Sequence, residues 1–71
     1  MTFDVTIPVL NEAETLDRQV RTLYDFLKHH FPAYGQWRIV IADNGSTDDT
    51  RAIAEKLCAE WPELRLVREI G

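Results

Sequence analysis

The polar segment at residues 43–49 contains the residue types that bind a nucleoside. An ionised aspartate such as Asp43 accepts hydrogen bonds from ribose hydroxyls or a base N–H, and an asparagine such as Asn44 offers a donor and an acceptor to a base edge. Gly45 lets the backbone approach a ligand closely. A capped turn between a strand and a helix uses the same residue types, so this segment alone leaves both interpretations open.

A second polar turn has the sequence Pro-Val-Leu-Asn-Glu at residues 8–12. Glu12 can accept a hydrogen bond from a sugar hydroxyl, while Asn11 organises the turn. The alternative is a capped helix start that binds nothing. Polar groups in both turns favour a binding crevice if the fold brings the turns together, and that depends on the elements that carry them.

The first elements follow from the spacing of the apolar residues. Apolar and polar residues alternate over residues 3–9 and predict a strand, whose pairing we expect Pro8 to end because proline has no N–H. An apolar stripe at spacings of three and four then predicts a helix, capped by Asn11 with Glu14 completing a capping box, and ended by Pro32. The stripe comprises Leu16, Val20, Leu23, Tyr24, Leu27 and Phe31.

A short loop at Tyr34 to Gln36 leads into the second half of the chain. Residues 38–42 contain an unbroken apolar run, which predicts a strand covered on both faces. A second helix should follow, capped by Ser46 or Thr47, and residues 64–67 should form a short edge strand flanked by basic residues. The apolar stripe of this second helix comprises Ile53, Ala54, Leu57, Cys58 and Trp61.

The order strand, helix, strand, helix, strand predicts an α/β fold. Its form is a βαβαβ unit with a three-stranded parallel sheet and right-handed crossovers, half of a doubly wound sheet. In such sheets, ligands bind beyond the carboxyl ends of the strands. The turns at residues 10–14 and 43–47 should therefore share one rim.

The composition limits the classes of partner. Seventy-one residues suffice for one small domain, and 45% hydrophobic with 28% charged residues is typical of soluble domains. A formal net charge of -4 argues against nucleic acid as a partner. The start has no basic segment of a signal peptide, no stretch reaches the roughly 20 apolar residues of a membrane span, and a single cysteine excludes an intrachain disulfide. We therefore expect a cytoplasmic location.

Other chemistry has weaker support. His29 and His30 are adjacent, so on a helix they point about 100° apart and cannot chelate one ion. Cys58 lies on an apolar stripe and is expected to be a buried structural thiol. The glycine-rich dinucleotide and phosphate-loop patterns are absent. The sequence thus predicts no catalytic residue and no metal ligands here, and a solvated face for Glu55, Lys56, Glu60 and Glu63.

Two motifs identify a family. Residues 6–12 read Thr-Ile-Pro-Val-Leu-Asn-Glu, and residues 39–50 read Ile-Val-Ile-Ala-Asp-Asn-Gly-Ser-Thr-Asp-Asp-Thr, with a helix between them. Nearly the whole chain resembles the amino-terminal part of family 2 inverting glycosyltransferases of the GT-A fold. It is most similar to the dolichol-phosphate mannosyltransferase-like branch, which loads a sugar onto a polyisoprenyl phosphate. The resemblance implies that residues 1–71 are a single truncated subdomain, the amino-terminal half of a Rossmann-like nucleotide-binding domain.

The resemblance also implies which residues hold the nucleotide of a nucleoside-diphosphate sugar. Glu12 would lie near the ribose or base. Asp43 matches the first carboxylate of the family's Asp-Asp-Gly-Ser turn, and Asn44 stands where the second carboxylate is found, which leaves the base specificity open. The implied nucleotide-binding residues are Pro8, Leu10, Asn11, Glu12, Asp43, Asn44 and Gly45.

The resemblance further implies parts of the enzyme that this chain does not contain. The family's Asp-x-Asp motif holds a divalent cation, Mg²⁺ or Mn²⁺, against the diphosphate and lies downstream of the third strand. Asp48 and Asp49 are adjacent acidic residues at the cap of the second helix and do not match it. The catalytic base lies further on. Sugar transfer needs charge neutralisation on the leaving group and a base, so we expect the metal in the whole enzyme, none in this segment, and no activity from the segment alone.

Two alternatives remain open from the residues. Besides a segment of a glycosyltransferase, they are a free-standing nucleotide-binding module and a fragment without ligand that self-associates through the exposed edge of its first strand. A polyisoprenyl phosphate acceptor would associate the whole enzyme with a membrane, and we then expect this segment at its cytoplasmic face.

Overall fold

The computed structural model describes residues 2–32 and 36–68. Strands and helices alternate there as β1 (Phe3–Val9), α1 (Leu16–His30), β2 (Trp37–Asp43), α2 (Thr50–Glu60) and β3 (Leu64–Arg68). Every predicted element is present. The predicted loop positions Tyr34 and Gly35 lie outside the described residues.

The three strands form one parallel sheet in the order β1-β2-β3, which confirms the predicted α/β fold. Pro8, however, does not end the pairing. Val9 stands beside Asp43 in the register, and the carbonyl of Val9 accepts a hydrogen bond from the N–H of Asn44 at 3.0 Å. Because successive backbone groups point to opposite edges of a strand, the missing N–H of Pro8 faces away from β2 and costs no hydrogen bond.

The hydrophobic core lies on one face of this sheet. Alternate residues of each strand contribute to it, from Val5 in β1, Trp37 in β2 and Leu64 in β3. The helices bury the apolar stripes that the spacing predicts. Their fully buried members are Leu16, Val20 and Leu27 in α1 and Ala54 and Leu57 in α2.

The prediction that β2 is covered on both faces is wrong for the described part of the chain. Ile39 and Ile41 are buried beneath the helices. On the other face of the described strands only the small Ala42 is buried, while Val40 is half-buried and Val67, the partner of Ala42 in the register, is 41% exposed. The strand order follows the chain order, so two crossovers of the same hand place both helices on one side of the sheet. Within residues 2–32 and 36–68, no helix covers the other side.

Both helices begin later than predicted, and the predicted caps are wrong. Helix α1 begins after Thr15 and α2 after Asp49, and neither of these N-cap side chains makes a capping hydrogen bond. The side chain of Asn11 instead accepts a hydrogen bond from the N–H of Thr47 at 2.8 Å, and the hydroxyl of Ser46 accepts one from the N–H of Asn11 at 2.9 Å. These polar groups connect two loops, so they are not available as helix caps.

The opposite end of the sheet is aromatic. We call it the aromatic end, formed by Phe3, Tyr24, Phe31, Trp37 and Trp61. The ring of Tyr24 stacks on Trp61 with centroids 4.0 Å apart and meets Trp37 edge-on at 5.4 Å. Phe3 meets Phe31 edge-on at 5.3 Å. Edge-to-face and offset contacts of this kind stabilise a fold beyond the area that they bury, so these rings serve packing.

Glu63 lies beside the aromatic end, and the prediction that it belongs to a solvated face is wrong. It is 8% exposed, while Glu55, Lys56 and Glu60 are exposed as expected. The Glu63 carboxylate accepts a hydrogen bond from the hydroxyl of Tyr24 at 3.4 Å and lies 3.4 Å from Nζ of Lys28. A carboxylate this close to a core must be paired or hydrogen-bonded, and these two partners fulfil that need.

Candidate functional site

Two polar loops lie side by side at the carboxyl end of the sheet. The first rim loop (residues 10–15) follows β1, and the second rim loop (residues 44–49) follows β2. Because the strands are parallel and adjacent, their carboxyl ends meet at one edge, as the sequence predicts. Direct hydrogen bonds join the two loops. Together they form the polar rim of the molecule.

Asn11 is the first connection between the loops. Its φ of 51° places it in the left-handed region, which asparagine tolerates better than most residues. Its N–H donates to the hydroxyl of Ser46 at 2.9 Å, and its Oδ1 accepts from the N–H of Thr47 at 2.8 Å. Asn11 therefore organises the rim, and its carboxamide oxygen is already engaged within the protein.

Glu12 and Ala13 are held by the second connection. The N–H of Glu12 donates to Oγ1 of Thr50 at 2.8 Å, and the N–H of Ala13 donates to Oδ2 of Asp48 at 3.4 Å. Asp48 Oδ1 in turn accepts hydrogen bonds from the N–H and the hydroxyl of Thr50. The backbone that carries the half-buried Glu12 side chain is thus oriented by residues more than thirty positions away in the sequence.

Asp43 ends β2 and is only 2% exposed. Its Oδ1 accepts the N–H of Ser46 at 3.1 Å, which closes the second rim loop. Hydrogen bonds from Ser46, with smaller contributions from the positive charges of Arg51 and Arg68, lower the pKa of Asp43 against the opposing effect of burial. Asp43 is therefore a fixed negative charge beneath the rim at neutral pH.

Gly45 takes a conformation that other residues avoid. Its φ is +91°, and a side chain built there would meet nothing within 4 Å. The glycine is needed for backbone geometry and not because another group crowds it. The space beside it is open to a ligand.

The structure places all seven predicted site residues at or next to the rim, but with different accessibility. Leu10, Asn44 and Gly45 are exposed, with Leu10 at 53%, and Glu12 is half-buried. Pro8 is exposed on the sheet face that carries no helix. Asp43 is nearly inaccessible, and Asn11 is exposed although its N–H and its Oδ1 are engaged between the loops. Surface for a ligand is therefore offered mainly by the exposed members of the set.

Asp48 and Thr50 are residues whose structural role the sequence reasoning missed. It treated Asp48 as an acidic cap, whereas the structure shows it joining both loops. A signal was present, because an aspartate two residues before a threonine often accepts that residue's N–H in a local turn. The contact to the first rim loop has no such local signal.

The rim carboxylates do not fit a divalent cation. Asp43 accepts a hydrogen bond from the N–H of Ser46, and both oxygens of Asp48 accept hydrogen bonds, from Ala13 and from Thr50. Within residues 2–32 and 36–68, no three His, Cys, Asp or Glu side chains are grouped as a metal site requires. A cation held against a diphosphate would need further ligands from elsewhere.

Groups outside the rim show ordinary structural roles. Exposed His29 and His30 lie at the end of α1, with ring centroids 5.2 Å apart. Cys58 is half-buried rather than fully buried, and this partial burial raises the pKa of its thiol.

A shallow groove of about 440 Å³ runs along α1. It is lined by Arg18, Gln19, Thr22, Leu23 and Phe26, none of which belongs to the rim.

The length and composition of the helices show whether either could cross a membrane. Neither α1 nor α2 has the length and apolar character that crossing a bilayer requires, and this holds for the residues that the structure describes.

Comparison with known proteins gives a consistent result. The family model described as Glycosyl transferase family 2 matches residues 4–70. The chain is 34% identical over 61 residues to Glycosyltransferase AglD of Haloferax volcanii, covering 86% of this chain and 10% of that protein. It is 42% identical over 60 residues to Succinoglycan biosynthesis protein ExoA of Rhizobium meliloti, covering 84% of this chain and 17% of that protein. The chain thus spans a small part of these relatives. No solved structure gives a significant match.

Proposed function

This chain belongs to glycosyl transferase family 2, and from that premise we propose that its polar rim binds the nucleotide of a nucleoside-diphosphate sugar. The observation that carries the proposal is the direct bonding of the first rim loop to the second rim loop, through Asn11 to Ser46 and Thr47, and to the start of α2, through Glu12 to Thr50. This bonding joins the two motif-bearing loops at the sheet end where open α/β sheets bind ligands.

We assign distinct roles to the rim residues. Glu12 accepts a hydrogen bond from a ribose hydroxyl or a base N–H, and Asn44 offers its exposed carboxamide to the base edge. Leu10 supplies apolar surface beside the base, and the open space at Gly45 admits the nucleotide. Asp43, which is only 2% exposed, supplies a fixed negative charge beneath the nucleoside and closes the second rim loop through its bond from the N–H of Ser46.

The reaction of the whole enzyme would be an inverting displacement at the anomeric carbon, with the nucleoside diphosphate as leaving group. The developing charge on the diphosphate needs neutralisation and the acceptor needs a base. The rim carboxylates do not suit the cation, so we assign both functions to residues beyond those described. We therefore propose that the 71-residue chain binds nucleotide and does not transfer sugar by itself.

The acceptor is a finer question. The resemblance to dolichol-phosphate mannosyltransferases supports a polyisoprenyl phosphate, and we propose it for the whole enzyme, acting at the cytoplasmic face of a membrane. The name of one relative, a succinoglycan biosynthesis protein, supports a growing glycan instead. An assay of the full-length enzyme with labelled sugar donor distinguishes them, because product would partition into organic solvent only with the lipid acceptor.

An NMR titration of the 71-residue chain with UDP and with GDP tests nucleotide binding. We expect saturable shifts of the amides of Leu10, Glu12, Asn44 and Gly45, and none along α1. The variant Glu12→Gln should weaken binding about tenfold or more, since a hydrogen bond to a charged group contributes roughly 1.5–3 kcal/mol. Glu55→Gln is the matched control, because it removes the same charge from an exposed site on α2. Absence of rim shifts at millimolar nucleotide would refute the proposal.

Self-association is the competing outcome that the structure makes testable. Among the described strands, β1 lies at one edge of the sheet, with alternate backbone groups unpaired on its outer side. Sedimentation that depends on protein concentration and ignores nucleotide would favour the self-associating fragment. A monomer with rim shifts favours the nucleotide-binding rim, and transfer assays with the full-length enzyme separate it from a free-standing binding module.

A further inference from the structure

We infer that Asp48 and Thr50 form a positioning pair that sets the backbone of Glu12 and thereby the nucleotide affinity of the rim, an inference that rests on the proposed function for its ligand. Neither residue need touch the nucleotide. The pair connects the start of α2 to the first rim loop, so its effect reaches the ligand through Glu12.

Thr50 is the centre of the connection. It is fully buried at 0% exposure, although threonine is a polar residue that usually remains accessible. Its hydroxyl accepts the N–H of Glu12 at 2.8 Å and donates its own proton to Oδ1 of Asp48. A hydroxyl has one proton to give, so this arrangement determines its direction and leaves an oxygen lone pair for Glu12.

Asp48 completes the connection by using both oxygens. Oδ1 accepts the N–H of Thr50 at 2.9 Å in addition to its hydroxyl, and Oδ2 accepts the N–H of Ala13 at 3.4 Å. Accepting several hydrogen bonds favours the ionised carboxylate, and the bonds from Thr50 are the leading cause that lowers the pKa of Asp48. Two consecutive amides of the first rim loop, at Glu12 and Ala13, are thus held from the second loop and the helix that follows it.

A cap for α2 alone would not require this geometry. Capping needs only an acceptor for the N–H of Thr50, which Asp48 Oδ1 supplies. Thr50 is the first residue of α2, and capping does not need its hydroxyl, yet this hydroxyl accepts a bond from a residue 38 positions earlier. The additional contacts to Glu12 and Ala13 therefore serve the first rim loop.

The decisive variant is Thr50→Val, which keeps the shape of the side chain and removes the hydroxyl. We expect the amide hydrogen of Glu12 to exchange about tenfold faster, as the loss of one hydrogen bond of roughly 1.4 kcal/mol implies, while the amide of Ile41 in the core keeps its protection. Thr50→Ser should restore the slow exchange.

Asp48→Asn should accelerate exchange at the amides of Ala13 and Glu12. Asp49→Asn is its control, because it removes the neighbouring charge and should leave this exchange unchanged.

Nucleotide binding supplies the second readout. Thr50→Val should weaken UDP or GDP binding about tenfold in the wild-type background, and by no more than about threefold when Glu12→Gln is already present, because both changes act through one side chain. Full additivity of the two losses, or unchanged exchange at Glu12 in Thr50→Val, would overturn the inference. If no nucleotide binds the wild-type chain, the proposed function fails while the exchange data still decide whether the pair holds Glu12. If Thr50→Val does not fold, Asp48→Asn carries the same comparison, with Asp49→Asn as its control.

Discussion

The two ends of the sheet are held together by different forces. At the aromatic end, rings pack at centroid distances of 4.0 to 5.4 Å, and Trp37 is 3% exposed with its Nε1–H donated to the carbonyl of Phe31 at 3.0 Å. At the polar rim, the loops are joined by hydrogen bonds of 2.8 to 3.4 Å from backbone amides to side-chain oxygens.

This difference separates stability from binding. Packed rings remove apolar surface from water and thereby contribute to the stability of the fold. On folding, the polar groups at the rim exchange hydrogen bonds to water for hydrogen bonds within the protein, so each contributes little net free energy. These bonds depend on direction and therefore set positions. A small domain has little stability to spare, so concentrating the large contributions away from the rim leaves the rim free to carry polar, ligand-binding residues.

The largest expected effect comes from the aromatic end. Trp37→Ala should lower the free energy of unfolding by about 3–5 kcal/mol, because it removes a buried ring and leaves a cavity. For a domain this small, urea denaturation should show most of the stability lost. Trp37→Phe is the control and should lose clearly less. A Trp37→Ala protein as stable as wild type would mean that the rim, and not the rings, holds the fold together.

A smaller effect should follow from pH, and it should come from the rim. Asp43 and Asp48 both have a pKa lowered in the folded state, so their contribution to stability is present above the unfolded value of about 4 and is lost as pH falls through the folded values. Urea midpoints measured from pH 7 down to pH 3 should decrease. The decrease should be reduced in Asp43→Asn. An equal decrease in that variant would assign the effect to other carboxylates.

The smallest effect is expected on the exposed side of α2, where Arg51 and Glu55 form an ion pair with Nε to Oε1 at 2.9 Å. Exposed pairs of this spacing contribute about 0.3–0.5 kcal/mol. Glu55→Gln should therefore shift the urea midpoint barely beyond measurement error and leave nucleotide shifts unchanged. A loss above about 1 kcal/mol would show that this pair supports the rim through Arg51.

Most of the fold could be predicted because the apolar spacing changes period between elements. The alternation over residues 3–9 and the stripe that includes Leu16 and Val20 correspond to β1 and α1. The predictions that were wrong concerned which neighbouring strand or helix a residue faces. Pro8 was expected to end the pairing, and β2 to be covered on both faces, yet the edge that Pro8 faces and the side chosen by the helices depend on strand order.

The candidate site shows the same division. The positions of both loops could be predicted from the parallel strands, and the seven implied residues do lie at or next to the rim. Which of their polar groups remain free for a ligand could not be predicted, because Asp43 is buried by its neighbours and the Oδ1 of Asn11 accepts a bond from Thr47. Local pattern reasoning placed Asn11 and Ser46 as helix caps, since it considers only partners a few residues away.

The amino-acid sequence by itself determined the alternation of strands and helices, the family, and the two polar turns, because periodicity, turn chemistry and motif spacing are properties of neighbouring residues. The tertiary structure alone decided that Asp48 and Thr50 hold Glu12, that Glu63 is buried beside Tyr24, and that one face of the sheet has no helix among the described residues. Those outcomes depend on which distant groups become neighbours when the strands pair, and hydrogen bonds, being short and directional, form only after that pairing.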